Sequence, residues 1–288
     1  MSYIIEVQHL NKAYGDFPVF FDLNLNVKTN SATALLGPNG CGKTTLLKSL
    51  LGVTKVNSGN VYLFNSPVMV NGKSNMKLLT AARKKIGFIP DQNIFYDHLT
   101  AYEYLSLIYN LTIPEYPDKK KNGIDTVKSI LKEFRLDRWS NRLIYTFSTG
   151  TKQKLAIAAS LVHRTELLIM DEPFRGIDPE ANIKFIKFLT EFIKSGIPLF
   201  GIQSPGSIFM SSHILTDIEK ICDSMIVLNE YGEIVLTGEI NEVKERLSGE
   251  KSFEELLYQI LHEEDEKEEQ DNELLDDLDF EDEVSESE

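Results

Sequence analysis

The chain has 288 residues, 42% of them apolar, and a formal net charge of −14, which suits one large soluble domain or two modest ones. Residues 263–288 hold 16 acidic side chains against one Lys, so the body is near neutral and nucleic acid is excluded as a main partner. No run approaches the roughly 20 consecutive apolar residues that cross a bilayer, Met1–Glu6 does not read as a secretory signal, and two cysteines are too few for a disulfide framework.

Residues 3–36 read as strands and turns. Ile4–Val7 and Phe20–Val27 alternate apolar with polar, the pattern of half-buried strands. Ala32–Leu36 is a short apolar run, as in a strand covered on both faces. It runs straight into Gly37-Pro38-Asn39-Gly40-Cys41-Gly42-Lys43-Thr44, which matches G-x-x-x-x-G-K-[ST] at every fixed position. The glycines let backbone N–H groups close around phosphate oxygens. Lys43 adds a full charge on the β- and γ-phosphates, and the Thr44 hydroxyl is a hard ligand suited to Mg²⁺. Leu46, Leu47, Leu50 and Leu51 recur at helical spacing, and Gly52 ends that helix. A strand, a phosphate loop and a helix therefore follow in order, which by itself says that phosphates bind. Cys41, inside the loop, is expected to react with thiol reagents and to be protected by ATP.

Residues 78–89 predict a helix and then a strand, Ile86–Ile89, closed by Pro90. From about 98 to 147 strands disappear, and helices are predicted over Tyr102–Leu111 and Gly123–Phe134. This segment reads as a helical insert in an α/β core. The core resumes with a helix over Lys152–Val162 and a buried strand, Leu167–Met170. That strand delivers Asp171 and Glu172 at its C-terminal end, where an open α/β sheet binds ligands. Two acids ending a strand are by themselves as often structural as functional. After a phosphate loop they favour Asp171 on Mg²⁺ and Glu172 polarising the attacking water. A helix over 180–194, a strand at Ile208–Met210, a helix over 214–221 and a hairpin around Tyr231-Gly232 complete the core. Alternation of strand and helix predicts a mostly parallel sheet with covered faces.

Some twenty residues before Asp171 stands Phe147-Ser148-Thr149-Gly150-Thr151-Lys152-Gln153-Lys154. This segment resembles the signature motif of ABC ATPases, usually Leu-Ser-Gly-Gly-Gln, with Ser148 and Gly150 matching. A serine hydroxyl and backbone N–H groups at a helix start make a second anion site. The plain alternative is a helix cap by Ser148 or Thr149. The resemblance covers residues 3 to about 245, and its variant of the motif is similar to the subfamily of small peptide, drug and lipid exporters. It implies an α/β fold: a P-loop NTPase (RecA-like) core, an antiparallel β N-terminal subdomain and a helical insert subdomain. The implied domain spans 1–245, with core 1–97 and 148–245 and the insert at about 98–147. A C-terminal helix over 246–262 and an acidic disordered tail over 263–288 follow.

The resemblance also implies roles. Tyr14 would stack on adenine, with strand packing as the plain alternative. Gly37 to Thr45 would wrap the phosphates, Asp178 would sit in the loop linking paired sites, and His213 would sense the γ-phosphate. The position after Pro90, usually glutamine in the family, is Asp91, expected on Mg²⁺ or water. Residues 197–205 look like a surface insertion. Further implications are a second ATP-binding subunit, a copy or a paralogue, placed head to tail, and separate membrane permease subunits at the cytoplasmic membrane face. Phe95-Tyr96 is expected at the permease groove. Soluble relatives acting on ribosomes or DNA fit less well: the former join two nucleotide domains in one chain, the latter carry a long coiled coil. A P-loop regulatory ATPase would lack Phe147–Lys154 and His213.

Overall fold

The computed structural model of the chain describes residues 2–112, 123–162, 165–177, 179–197, 204–212 and 215–247. Two sheets organise them. In the first, β1 (Tyr3–Tyr14) and β2 (Phe17–Lys28) pair antiparallel across a tight turn. On the other side of β1 the sheet continues through strands at Ser58–Leu63, Ser66–Val70 and Lys73–Ser74. These last strands went unpredicted. Their turns are nonetheless coded locally. Phe64 and Asn65 in one turn, and Asn71 and Gly72 in the other, all adopt positive φ, the geometry of two-residue hairpins, and Asn-Gly is the commonest sequence for it.

The second sheet is the predicted parallel core. It contains β3 (Ala32–Leu36), β4 (Ile86–Ile89), β5 (Leu167–Asp171), β6 (Ser207–Ser211), β7 (Ser224–Leu228) and β8 (Ile234–Glu239). The spatial order is β8, β7, β3, β6, β5, β4, parallel apart from the β7–β8 hairpin. Every residue of β3, β5 and β6 is buried. Period-two alternation splits them between two cores. Ala32, Ala34, Leu168, Met170, Ile208 and Met210 face the helical side. Leu35, Leu167, Ile169 and Phe209 face the antiparallel sheet and α1 (Lys43–Leu50). Leu46, Leu47 and Leu50 of α1 are fully buried there, each contributing roughly 1.5–3 kcal/mol by area.

A second short helix, α2 (Met76–Arg83), is capped by Asn75, whose side chain accepts from the Leu78 N–H. The helical insert begins with α3 (Ala101–Thr112). Its start is a capping box: the Thr100 N–H donates to Glu103 Oε2 (2.8 Å) and the Glu103 N–H to Thr100 Oγ1 (3.2 Å), satisfying orphan donors reciprocally. The insert continues through α4 (Gly123–Glu133) and rejoins the core as α5 (Thr149–Leu161). The helix predicted from Lys152 therefore starts three residues earlier, because Ser148 caps it. α6 (Pro179–Ser195), α7 (Leu215–Ile221) and α8 (Ile240–Leu247) complete the described chain. The expected positions of Asp178, His213, the inserted residues 198–203, most of the C-terminal helix and the acidic tail lie outside the described residues. Among the described residues no helix is long and apolar enough to cross a membrane.

Candidate functional site

The loop between β3 and α1 is built for close backbone approach. Gly37 has φ 152°, and a Cβ there would meet Cys41 Sγ at 2.7 Å and the Leu228 carbonyl at 2.8 Å. Gly42, the residue before α1, has φ 99°, and its Cβ would strike Val19 Cγ1 at 2.7 Å. Both positions therefore exclude any side chain. α1 carries no acid in its first turn and no side-chain cap. Instead Lys43 stands there, its ammonium donating to the Gly37 and Pro38 carbonyls, each at 2.8 Å. A cation at the positive end of a helix is unfavourable alone. Both features together select an anion, as a phosphate chain would supply.

Asp171 closes the site from below. It is 2% exposed at the end of β5. Its Oδ2 accepts from Thr44 Oγ1 at 2.6 Å and its Oδ1 from Ser211 Oγ at 2.6 Å. Ser211 in turn accepts from the Glu172 N–H at 3.1 Å. The hydroxyl–carboxylate pair that the sequence assigns to a cation is thus in contact. Both oxygens are hard donors that fit Mg²⁺, which keeps most of its shell for phosphate and water. Ser211, which orients Asp171, escaped sequence reasoning: a serine ending a strand carries no signal of its own.

Glu172 leaves the strand with φ 48°. A non-glycine residue in the left-handed region costs energy that the surroundings must offset, and such strain clusters at functional sites. Here the bond to Ser211 fixes the backbone, and the residue is half-buried.

Gln153 is a second residue that sequence reasoning passed over. It is buried on α5, donates to the Pro173 carbonyl at 3.0 Å and accepts from the Asn93 amide. One side chain therefore ties α5 to the segment after Glu172 and to the segment after Asp91. Asp91 itself is held by Arg175 Nη1 at 3.0 and 3.2 Å. Its partner is the loop beyond Glu172, not the Thr44–Asp171 pair.

Tyr14 stands at the hairpin end of β1, opposite Phe17, and is half exposed. Lys12 Nζ covers one ring face at 3.9 Å from the centroid, a cation–π contact. Val19 of the same hairpin packs against Gly42, which sets this corner of the antiparallel sheet beside the phosphate loop. Pro38, Asn39, Gly40, Thr44 and Thr45 are exposed or half-buried around it. Ser148 is exposed at the start of α5. Among the described residues its side chain bonds only within its own helix turn, to the N–H and hydroxyl of Thr151 at 3.3 and 3.0 Å. The cap predicted as the plain alternative is therefore real, and it leaves Ser148 and Thr149 on the surface, with Gly150 half-buried.

Cys41 corrects an expectation. It is 2% exposed, and burial pushes its thiol above the usual range, against a smaller opposing pull from Lys43. Cys222 is buried and raised further, by burial first and the Asp223 charge second. Thiolates are the reactive species, so neither cysteine is a handle. At neutral pH, titration with a small maleimide is expected to label neither cysteine in the folded chain and both in urea, whether or not nucleotide is present. Rapid labelling of Cys41 in the folded chain would show that the loop opens.

A family profile described as ABC transporter matches residues 20–175. The chain is 34% identical over 246 residues to the bacitracin transport ATP-binding protein BcrA of Enterococcus faecalis, covering 85% of this chain and 72% of that protein. A solved structure of an ATP-binding subunit of an ABC transporter superimposes with a TM-score of 0.72 at 26% identity, covering 90% of this chain and 99% of the other. CbiO1 of Clostridium perfringens, described as part of the ABC transporter complex CbiONQ, superimposes with a TM-score of 0.66 at 28% identity, covering 86% and 96%.

Proposed function

The chain belongs to the ABC transporter family as an ATP-binding, ATP-hydrolysing subunit, and on that premise we propose that it powers export of a peptide-like or drug-like cargo through separate membrane subunits. The observation that carries the ATPase chemistry is the 2.6 Å contact of Thr44 with Asp171, one residue before Glu172. The phosphate loop and Lys43 grip the nucleotide. Mg²⁺, when bound, neutralises phosphate charge, and Thr44 and Asp171 are the residues that would hold it. Glu172 positions and deprotonates water at the mouth. Tyr14, half exposed at the hairpin end, offers its ring to adenine. Asp91, through Arg175, reports on the loop that follows Glu172. Asp178 and His213 keep their proposed roles between paired sites and at the γ-phosphate.

Ser148 and Gly150 are proposed to complete the site of a second ATP-binding subunit, head to tail. The exposure of Ser148 at the positive end of α5 supports this, because an N-terminal helix turn facing outward attracts an anion. The cargo class is suggested by the similarity to a bacitracin transport subunit. Location at the cytoplasmic membrane face follows from the permease partners proposed here.

The permease contact is assigned to the loop after Asp91. Phe95 is not its outward residue: it packs edge-to-face on Tyr104, with centroids 5.3 Å apart. Ile94 and Tyr96 instead are 89% and 65% exposed. Leu143 and Tyr145 are exposed on the same edge, where the Tyr145 N–H donates to the Asp97 carbonyl at 3.3 Å. An apolar cluster rimmed by Asp97 and Lys152 suits a helix end of a membrane subunit. The tagged chain is expected to co-purify a multi-spanning membrane protein from detergent extracts. Ile94→Asp with Tyr96→Asp should cut that recovery at least ~10-fold and leave the isolated chain's ATPase unchanged, since loss of a buried apolar anchor costs about 2 kcal/mol or more. Undiminished recovery would place the permease contact elsewhere.

A further inference from the structure

A cleft of about 980 Å³ opens between the helical insert and α6, on no element of the phosphate site except the first turns of α5. Its walls carry Lys132, Arg135, Arg138, Lys154, Lys184 and Lys187, against only Glu133 and Glu191. Its floor is aromatic. Phe134 and Phe188 meet at a 59° tilt with centroids 5.4 Å apart, and Trp139, edge-to-face with Phe147, also lines the cleft. Six cations around an apolar floor, in a body that is otherwise near neutral, select an acidic ligand with apolar side chains.

The chain contains such a ligand. Residues 263–288 hold 16 carboxylates, and within them Leu274, Leu275, Leu278 and Phe280 are interleaved with Asp276, Asp277 and Asp279. Acidic residues alternating with apolar ones can present charge and grease together. The origin of the segment is favourable. α8, the last described helix, is tied to α7 by Lys244–Glu219 at 2.9 Å. α7 is tied to α6 by Asn182–Asp217 at 3.2 Å, and α6 is a wall of the cleft. Residues 248–262 extended reach up to roughly 50 Å, about the roughly 45 Å width of a domain this size. A tether of that length gives an effective concentration on the order of 1 mM, so even a weak intrinsic affinity fills the cleft.

We propose that the acidic segment 263–288 docks into this basic, aromatic cleft of its own chain and acts as an electrostatic brake. Gly150 and Thr151 line the cleft mouth. The docked segment would place carboxylates beside the helix start proposed to meet the partner's γ-phosphate. It would oppose closure over ATP by like-charge repulsion. The docking stands on the cleft alone; only the brake rests on the role given to Ser148 and Gly150.

Trp139 is the chain's one tryptophan, so its emission reads the cleft directly. In the full chain at low salt, acrylamide quenching of Trp139 is expected to rise about twofold on adding 0.5 M NaCl, which screens charge within a few ångströms. The full-length variant Lys184→Glu with Lys187→Glu should be quenched at the high level at any salt. A chain ending at His262 should behave likewise and recover protection when a synthetic 263–288 peptide is added. That recovery must fail when the same chain also carries the two reversals. Equal quenching of the full and shortened chains at low salt overturns the docking, as does peptide protection that ignores the reversals. Docking without a rise in ATPase on shortening overturns the brake.

Discussion

Replacing Glu172 by Gln is expected to cut ATP hydrolysis by at least ~100-fold while leaving nucleotide binding intact, because a positioned general base contributes roughly 10²–10⁴. The substitution keeps volume and the backbone demand, which matters at φ 48°. It keeps the N–H bond to Ser211 and leaves Asp171 held by Thr44 and Ser211. What it removes is a negative charge and a proton acceptor at the mouth of the site. Loss of that charge also weakens repulsion of the phosphates, so the ATP-bound form should accumulate. The measurements are phosphate release, equilibrium nucleotide binding and sizing in ATP. A larger species is expected in ATP alone, absent with ADP. Normal hydrolysis by the variant would move the base to another group; weakened binding with normal turnover would make Glu172 a structural residue.

The sequence exposed the chemistry of this site more fully than its support. Gly37–Thr44 was readable because each fixed position has its own physical reason, from a φ near 100° at Gly42 to a charge at Lys43. Asp171 was readable because a wholly apolar strand ends on it. Ser211 and Gln153 were not, since their roles come from neighbours 20 to 60 residues away. The three outer strands of the antiparallel sheet were missed for a related cause. Their buried apolar side chains are few, Val61, Leu63, Val68 and Met69, and their turns carried the better signal in Asn71-Gly72. Cys41 shows the opposite error. A residue inside an open loop motif reads as accessible, but Cys41 is 2% exposed, its sulfur packed under Gly37.

Two inactive variants are expected to repair one another when mixed, and this result reaches furthest into the mechanism. Lys43→Ala removes the ammonium that Gly37 and Pro38 hold in the loop, and loss of such a charge typically costs about 10²–10³ in turnover. Ser148→Arg leaves the phosphate loop untouched and fills the exposed start of α5. Its folding cost is that of one cap, about 1 kcal/mol. The wild-type rate per chain should first be shown to rise with chain concentration, which establishes that two copies suffice. If each site joins the loop of one copy to the signature of the other, both variants fail alone. A mixed pair then contains one doubly damaged site and one undamaged site. Random pairing puts an intact site in half of the dimers, so activity should return to roughly a quarter of wild type. No recovery is possible if loop and signature serve ATP within a single chain, because every chain in the mixture then carries a lesion. The mixture therefore separates a capped helix that merely starts at Ser148 from one whose start completes another subunit's site.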